Sequence, residues 1–128
     1  MKKLISLLAT LFVLGGSFGN AQLIDEKMFK KMEKDAKESY FSGEEGLPEN
    51  TLVYFNKNGT KELGYVSVDS LKNKKLSYKF NEKDSLFIWF DSTGAFLKAD
   101  YKMPNYEVPL DSNDCKKIKK IFSPVINQ

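Results

Sequence analysis

Histidine and arginine are both missing from the 128-residue chain, and all 20 of its basic side chains are lysine. Without imidazole there is no Ser-His-Asp or Cys-His arrangement and no histidine metal site; without guanidinium there is no bidentate clamp for phosphate or carboxylate. Most common hydrolase and transferase designs are thereby closed. What is left is carboxylate, lysine, hydroxyl and phenol chemistry, and this argues against an enzyme. Cysteine occurs once, at Cys115. A lone cysteine forms no internal disulfide, so stability has to come from packing. No residue set reads as a catalytic group, a metal site or a cofactor site.

Long apolar runs are also absent. The longest, Leu4 to Leu14, is too short to span a bilayer comfortably. It follows Lys2 and Lys3 and precedes the small-residue order Gly19-Asn20-Ala21, which together make a secretory signal peptide over 1–21. Cleavage after Ala21 would leave Gln22 first and one small domain over 22–128, with no membrane span. Cys115 lies far from that site, so no lipid-modified cysteine starts the mature chain. Losing Lys2 and Lys3 takes the formal net charge from +3 to +1. Neither that charge nor any basic patch with interleaved aromatics points to nucleic acid. The lysine-rich, short-leader character reads as bacterial, and the expected location is the periplasm or the medium.

Aromatic residues, by contrast, are plentiful at 13%, and Ser85 to Lys102 is the stretch on which the chain is centred. An aromatic and β-branched run, then Asp91-Ser92-Thr93-Gly94, then alternation from Phe96 onward predicts a β-hairpin. Thr93 would resist the positive φ of a type I′ turn, so a type I turn closed by a left-handed Gly94 fits better. On that register Trp89 faces Leu97, Phe87 faces Ala99 and Ser85 faces Tyr101. Leu86, Ile88, Phe90 and Phe96 then share the opposite face. If the helices leave part of that face uncovered, these four form a partner-binding patch.

The remaining elements follow from periodicity and punctuation. Met28, Phe29, Met32, Ala36 and Tyr40 recur at three- and four-residue spacing, so an amphipathic helix is expected from about Asp25 to Phe41, capped by Asp25. Ser42 to Asn50 is a loop. Leu52 to Val68 reads as a second hairpin around Asn58-Gly59, and Leu76 to Asn81 as a further strand. Tyr54-Phe55-Asn56-Lys57-Asn58-Gly59 echoes Trp89-Phe90-Asp91-Ser92-Thr93-Gly94; if both turn alike, Val53 pairs with Leu63, Thr51 pairs with Tyr65, and Gly59 takes positive φ. Met103 to Leu110 cannot be a central strand because Pro104 and Pro109 remove donors, so it is expected to cross the surface. A last helix, capped by Asp111, runs from about Ser112 to Phe122 with Cys115, Ile118, Ile121 and Phe122 inward, and Pro124 stops it. The fold class is α+β: an antiparallel meander of about five strands on an N-terminal amphipathic helix, with a short C-terminal helix.

Several side-chain sets have to be weighed against plainer readings. Asp111-Ser112-Asn113-Asp114 begins like a calcium loop, but Cys115 and Phe122 occupy ligand positions, so capping explains it better. Glu44, Glu45 and Glu49 read as solvated loop acids. Asn58-Gly59-Thr60 fits a glycosylation pattern but is explained by the turn. Trp89 reads as core rather than as a sugar platform. The aromatic-Phe-Asp-x-x-Gly hairpin beside a helix resembles the repeat unit of PepSY-like and β-lactamase-inhibitor-like modules of secreted bacterial proteins, over little more than the hairpin itself. Two functions stay open. One is a secreted or periplasmic binding module, inhibitor- or immunity-like, holding another protein of the cell envelope. The other is a small-molecule carrier or minimal enzyme with a cavity between helix and sheet.

Overall fold

The computed structural model describes residues 23–57 and 61–127. The expected signal peptide and the Asn58-Gly59 turn lie outside these residues. Among these residues the fold is α+β, with an open antiparallel sheet of seven strands and two helices. Helix α1 spans Glu26–Lys37, followed by β1 (Ser39–Ser42), β2 (Thr51–Asn56), β3 (Glu62–Val68), β4 (Lys74–Lys79), β5 (Ser85–Phe90), β6 (Phe96–Met103), β7 (Tyr106–Pro109) and α2 (Ser112–Ile126). Spatial order equals chain order, because every connection is short enough to turn a strand back beside its predecessor.

Helix α1 starts where the sequence places it, with the Met28 N–H donating to the Asp25 carboxylate at 2.9 Å. It ends at Lys37, with Glu38 as its C-cap, earlier than expected, because Ser39–Ser42 pair with β2 instead. Ser39 lies opposite Asn56 and Ser42 opposite Val53. Ladder bonds to a strand edge outweigh one more turn of a helix whose continuation, Ser-Tyr-Phe-Ser, has little helical preference. Edge strand β7 is the other addition. Pro104 precedes this four-residue edge and Pro109 ends it, positions where a missing donor is tolerated. Helix α2 in turn runs past Pro124 to Ile126. Burial of Phe122, Val125 and Ile126 holds that last turn down, and Asn127 closes it: its N–H donates to the Ser123 carbonyl at 3.1 Å, and its Nδ2 to the Ser123 and Gly94 carbonyls.

The central hairpin turns as expected. Gly94 N–H donates to the Asp91 carbonyl and Asp91 N–H to the Ala95 carbonyl, each at 2.9 Å, and Gly94 has φ +87°. The register expected beyond the turn is one residue off. Phe90 pairs with Phe96 but Trp89 pairs with Lys98, so Leu97 is an extra residue, a β-bulge. From there Phe87 faces Asp100 and Ser85 faces Lys102, while Ile88 faces Ala99 and Leu86 faces Tyr101. The β2–β3 hairpin repeats the device with Leu63 as the extra residue, which puts Val53 opposite Tyr65 and Thr51 opposite Ser67. Beside that bulge stands Gly64. A Cβ there would sit 1.7 Å from the Ser77 carbonyl oxygen, so only glycine lets β4 approach.

Both helices pack on the same side of the sheet. Phe29, Met32 and Ala36 of α1 and Ile118, Phe122, Val125 and Ile126 of α2 form one core with Tyr54, Val66, Leu76, Tyr78, Leu86, Ile88, Phe90, Ala99 and Tyr101. Leu86, Ile88 and Phe90, expected to offer an exposed patch, have no exposed surface, and Phe96 packs partly buried against the same core. The physical reason is twofold: the Leu97 bulge re-pairs these residues with Ala99 and Tyr101, and α1 and α2 cover one face together instead of dividing the two. Cys115 is half-buried beside that core, its thiol pushed up chiefly by burial, with Sγ 3.6 Å from the Leu110 carbonyl.

Candidate functional site

The face turned away from the helices is built from residues two apart on every strand, and ladder pairing aligns them in rows. The middle row crosses all seven strands: Ser42, Val53, Tyr65, Ser77, Phe87, Asp100 and Pro109. A second row, nearer the β5–β6 turn, runs Thr51, Ser67, Lys75, Trp89 and Lys98. On the other side Tyr40 pairs with Phe55 and Phe55 with Glu62, and Lys79, Ser85, Lys102 and Glu107 continue the line across β4 to β7. This face therefore carries Tyr40, Phe55, Tyr65, Phe87 and Trp89. None of the five belongs to the core cluster, whose residues lie under the helices. A sheet face left to water is ordinarily polar, and this one is not.

Lysines lie over the rings. Lys75 Nζ stands 4.1 Å from the Phe87 ring centre and 5.1 Å from that of Trp89, and Lys98 Nζ stands 4.2 Å from Trp89. Lys79 Nζ lies 5.4 Å from the Tyr65 ring and also donates to the Glu62 carboxylate. Each such contact at a wet site contributes about 0.5–1 kcal/mol. The lysine stems meanwhile cover part of the aromatic surface. Leu97, at the bulge, is 55% exposed beside Trp89's partner Lys98.

Carboxylates complete the face. The bond from Lys79 holds Glu62 below its ordinary range, and the Tyr65 hydroxyl is raised by its own bond to Glu62. Asp100 is nearly buried although it lies on this face, packed between Phe87 and Pro109 in its row. Glu107 is raised by its neighbour Asp100, because a second carboxyl group close by disfavours the charged form. Lys98 approaches Asp100 only to 3.8 Å.

Polar groups on the other side of the sheet serve the core. The Tyr78 hydroxyl donates to Asp35 and accepts from Lys31 at 2.8 Å, while Lys31 also donates to Asp35 at 2.9 Å. Tyr54 shares a 2.7 Å hydrogen bond with Ser39, whose hydroxyl donates to the Ala36 carbonyl. Burial pushes the Tyr54 phenol up to about 12 and raises Tyr78 and Tyr101 as well. These networks join α1 to the sheet. Glu44, Glu45 and Glu49 stand exposed in the β1–β2 loop. Asp111 caps α2, accepting from the Asp114 N–H at 2.8 Å.

Of the residues singled out in the sequence for binding, none lies on the open face. Trp89, read as core, is on it. The missed residues are Phe87, Tyr65, Phe55, Lys75 and Lys98. A signal for them existed in the outgoing strand, where Lys98, Asp100 and Lys102 alternate outward; residues paired with those three had to face outward too. Comparison with known proteins finds no matching family model, no similar curated protein and no similar solved structure.

Proposed function

We propose that the chain is a binding module, exported to the periplasm or the medium, that holds a protein partner on the open face of its sheet. One observation carries the reading: among the described residues, a face that neither α1 nor α2 covers bears five aromatic side chains. Seven strands about 4.8 Å apart and three residue rows give a surface of about 30 Å by 20 Å. That is about 600 Å², three quarters of the roughly 800 Å² each partner contributes to a stable interface. Aromatic residues set among polar ones also match the composition of binding surfaces better than that of solvated sheet faces. Export rests on the leader pattern of residues 1–21. The carrier or minimal-enzyme alternative needs a cavity between helix and sheet, and that layer is filled by the core side chains. A groove of about 520 Å³ does open between α1 and α2, but it faces outward, with Glu33, Lys37 and Lys120 beside Ile121 and Pro124.

The test is retention of a partner from the native cell envelope by the tagged mature chain and by a Phe87→Ala, Trp89→Ala double variant. A specific protein kept by the first and lost by the second is expected, with the variant's melting still cooperative. Equal retention by both would refute the reading.

A further inference from the structure

We infer that the Lys75–Trp89–Lys98 row takes an acidic, extended segment of the partner, with carboxylates on the two lysines and an apolar side chain beside them on Trp89 and Leu97. This rests on the binding role proposed for the open face, and charge complementarity carries it further. In the row Thr51, Ser67, Lys75, Trp89, Lys98 there is no acidic residue. Among the described residues Lys75 forms no ion pair, and its ammonium rests on Phe87 and Trp89. Lys98 has a long contact, 3.8 Å, to Asp100, short of hydrogen-bond distance. An ammonium lying on a ring still has donors directed away from the ring, so both lysines can accept an incoming carboxylate without losing their aromatic contacts.

Spacing narrows the ligand. Lys75 is on β4 and Lys98 on β6, two strand intervals or about 10 Å apart. A polyproline II segment repeats every three residues, about 9 Å, and brings the side chains at i and i+3 to one side. Carboxylates at those positions match the two lysines, while the residue at i+1, turned about 120° onto the neighbouring ridge of the segment, lies beside them against Trp89. The other rows argue against a uniformly anionic surface such as a membrane. Glu62, Asp100 and Glu107 lie on the same face and would repel it, whereas a peptide along the lysine row meets only Asp100, through Lys98, and lies a row away from Glu62 and Glu107 in the ladder.

Trp89 is the only tryptophan, so its emission reports on the row directly. The probe is a synthetic peptide repeating Glu-Leu-Pro, titrated into the mature chain at low salt, with a Gln-Leu-Pro peptide and phosphatidylglycerol-containing vesicles as comparisons. A saturable emission change with the Glu peptide alone is expected. It should weaken about tenfold in a Lys75→Met, Lys98→Met variant, which keeps the stems but loses both charges, and it should fade as salt is raised. No response to millimolar peptide, an equal response to the Gln peptide, unchanged affinity in the variant, or a response to vesicles alone would each overturn the inference. If the Glu peptide fails while envelope capture still depends on Phe87 and Trp89, the acidic segment is wrong and the binding face stands.

Discussion

Replacing Ile88 and, separately, Phe87 by alanine tests the assignment of the two sheet faces with adjacent residues. Ile88 is fully buried, opposite Leu76 on one neighbour and Ala99 on the other, beneath both helices. Its truncation removes buried methyl groups and leaves a cavity in a core that cannot fully collapse, at a cost of about 3–4 kcal/mol. Phe87 is half-exposed, and its truncation loses partial burial and the Lys75 contact, about 1 kcal/mol together. For a domain of this size each kcal/mol lowers Tm by about 4–8 °C, so Ile88→Ala should melt about 15–25 °C early and Phe87→Ala only about 5 °C early. Thermal melts followed by circular dichroism, with urea midpoints as a check, give both numbers. Ile88→Lys should not fold, since the core offers its ammonium no partner. If Phe87→Ala were the more damaging substitution, or Ile88→Lys melted normally, the two faces would be inverted and the binding surface argued above would be the core.

Gly64→Ala should cost about 3 kcal/mol or more by driving a methyl into the Ser77 carbonyl, whereas Gly94→Ala should cost about 1 kcal/mol through its positive φ, with extra loss from the Asn127 contact; denaturant midpoints decide, and equal small losses would show that β3 and β4 are not in that register. Of the six tyrosines, Tyr54, Tyr78 and Tyr101 should stay un-ionised until the fold opens. Their folded phenols titrate above the ordinary 10, so the unfolded chain loses protons first, and stability falls as pH rises from about 10 through about 12. Absorbance at alkaline pH should therefore show late ionisation coincident with unfolding, and normal titration of all six would refute it. Intact-mass measurement of exported protein should give a chain beginning at Gln22, and a mass that includes Met1 would sink the secretory reading.

The elements themselves were legible from period and punctuation: both helix starts from Asp25 and Asp111, the Gly94 turn, and the α+β class. Their pairing was less so. Leu97 and Leu63 look like ordinary members of alternating strands, and nothing local marks either as an extra residue, because a bulge is selected by what the strand must bury and not by its own side chain. One missed residue there turned Leu86, Ile88 and Phe90 from a surface into a core. The same slip hid Phe87 and Trp89, since aromatic residues in a strand read as buried until the register is known. The short edges β1 and β7 were missed for a related reason: four residues carry little periodicity, and their pairing comes from the neighbour they dock on. Pro124 misled because a proline that ends an isolated helix can be overridden when Phe122, Val125 and Ile126 anchor the turn around it.

Strand order that copies chain order has a kinetic side. Each ladder joins segments separated by one short turn, so loop-closure entropy stays small at every step and the sheet can assemble hairpin by hairpin. The exception is the meeting of α1 with α2, which joins the first and last elements of the described residues over the sheet. Phe29 lies beside Lys117, and Glu33 and Lys37 beside Lys120 and Pro124, so the two helices run side by side in the same direction. Loop closure is costlier for this contact than for any ladder, so the second helix should dock after the hairpins have formed.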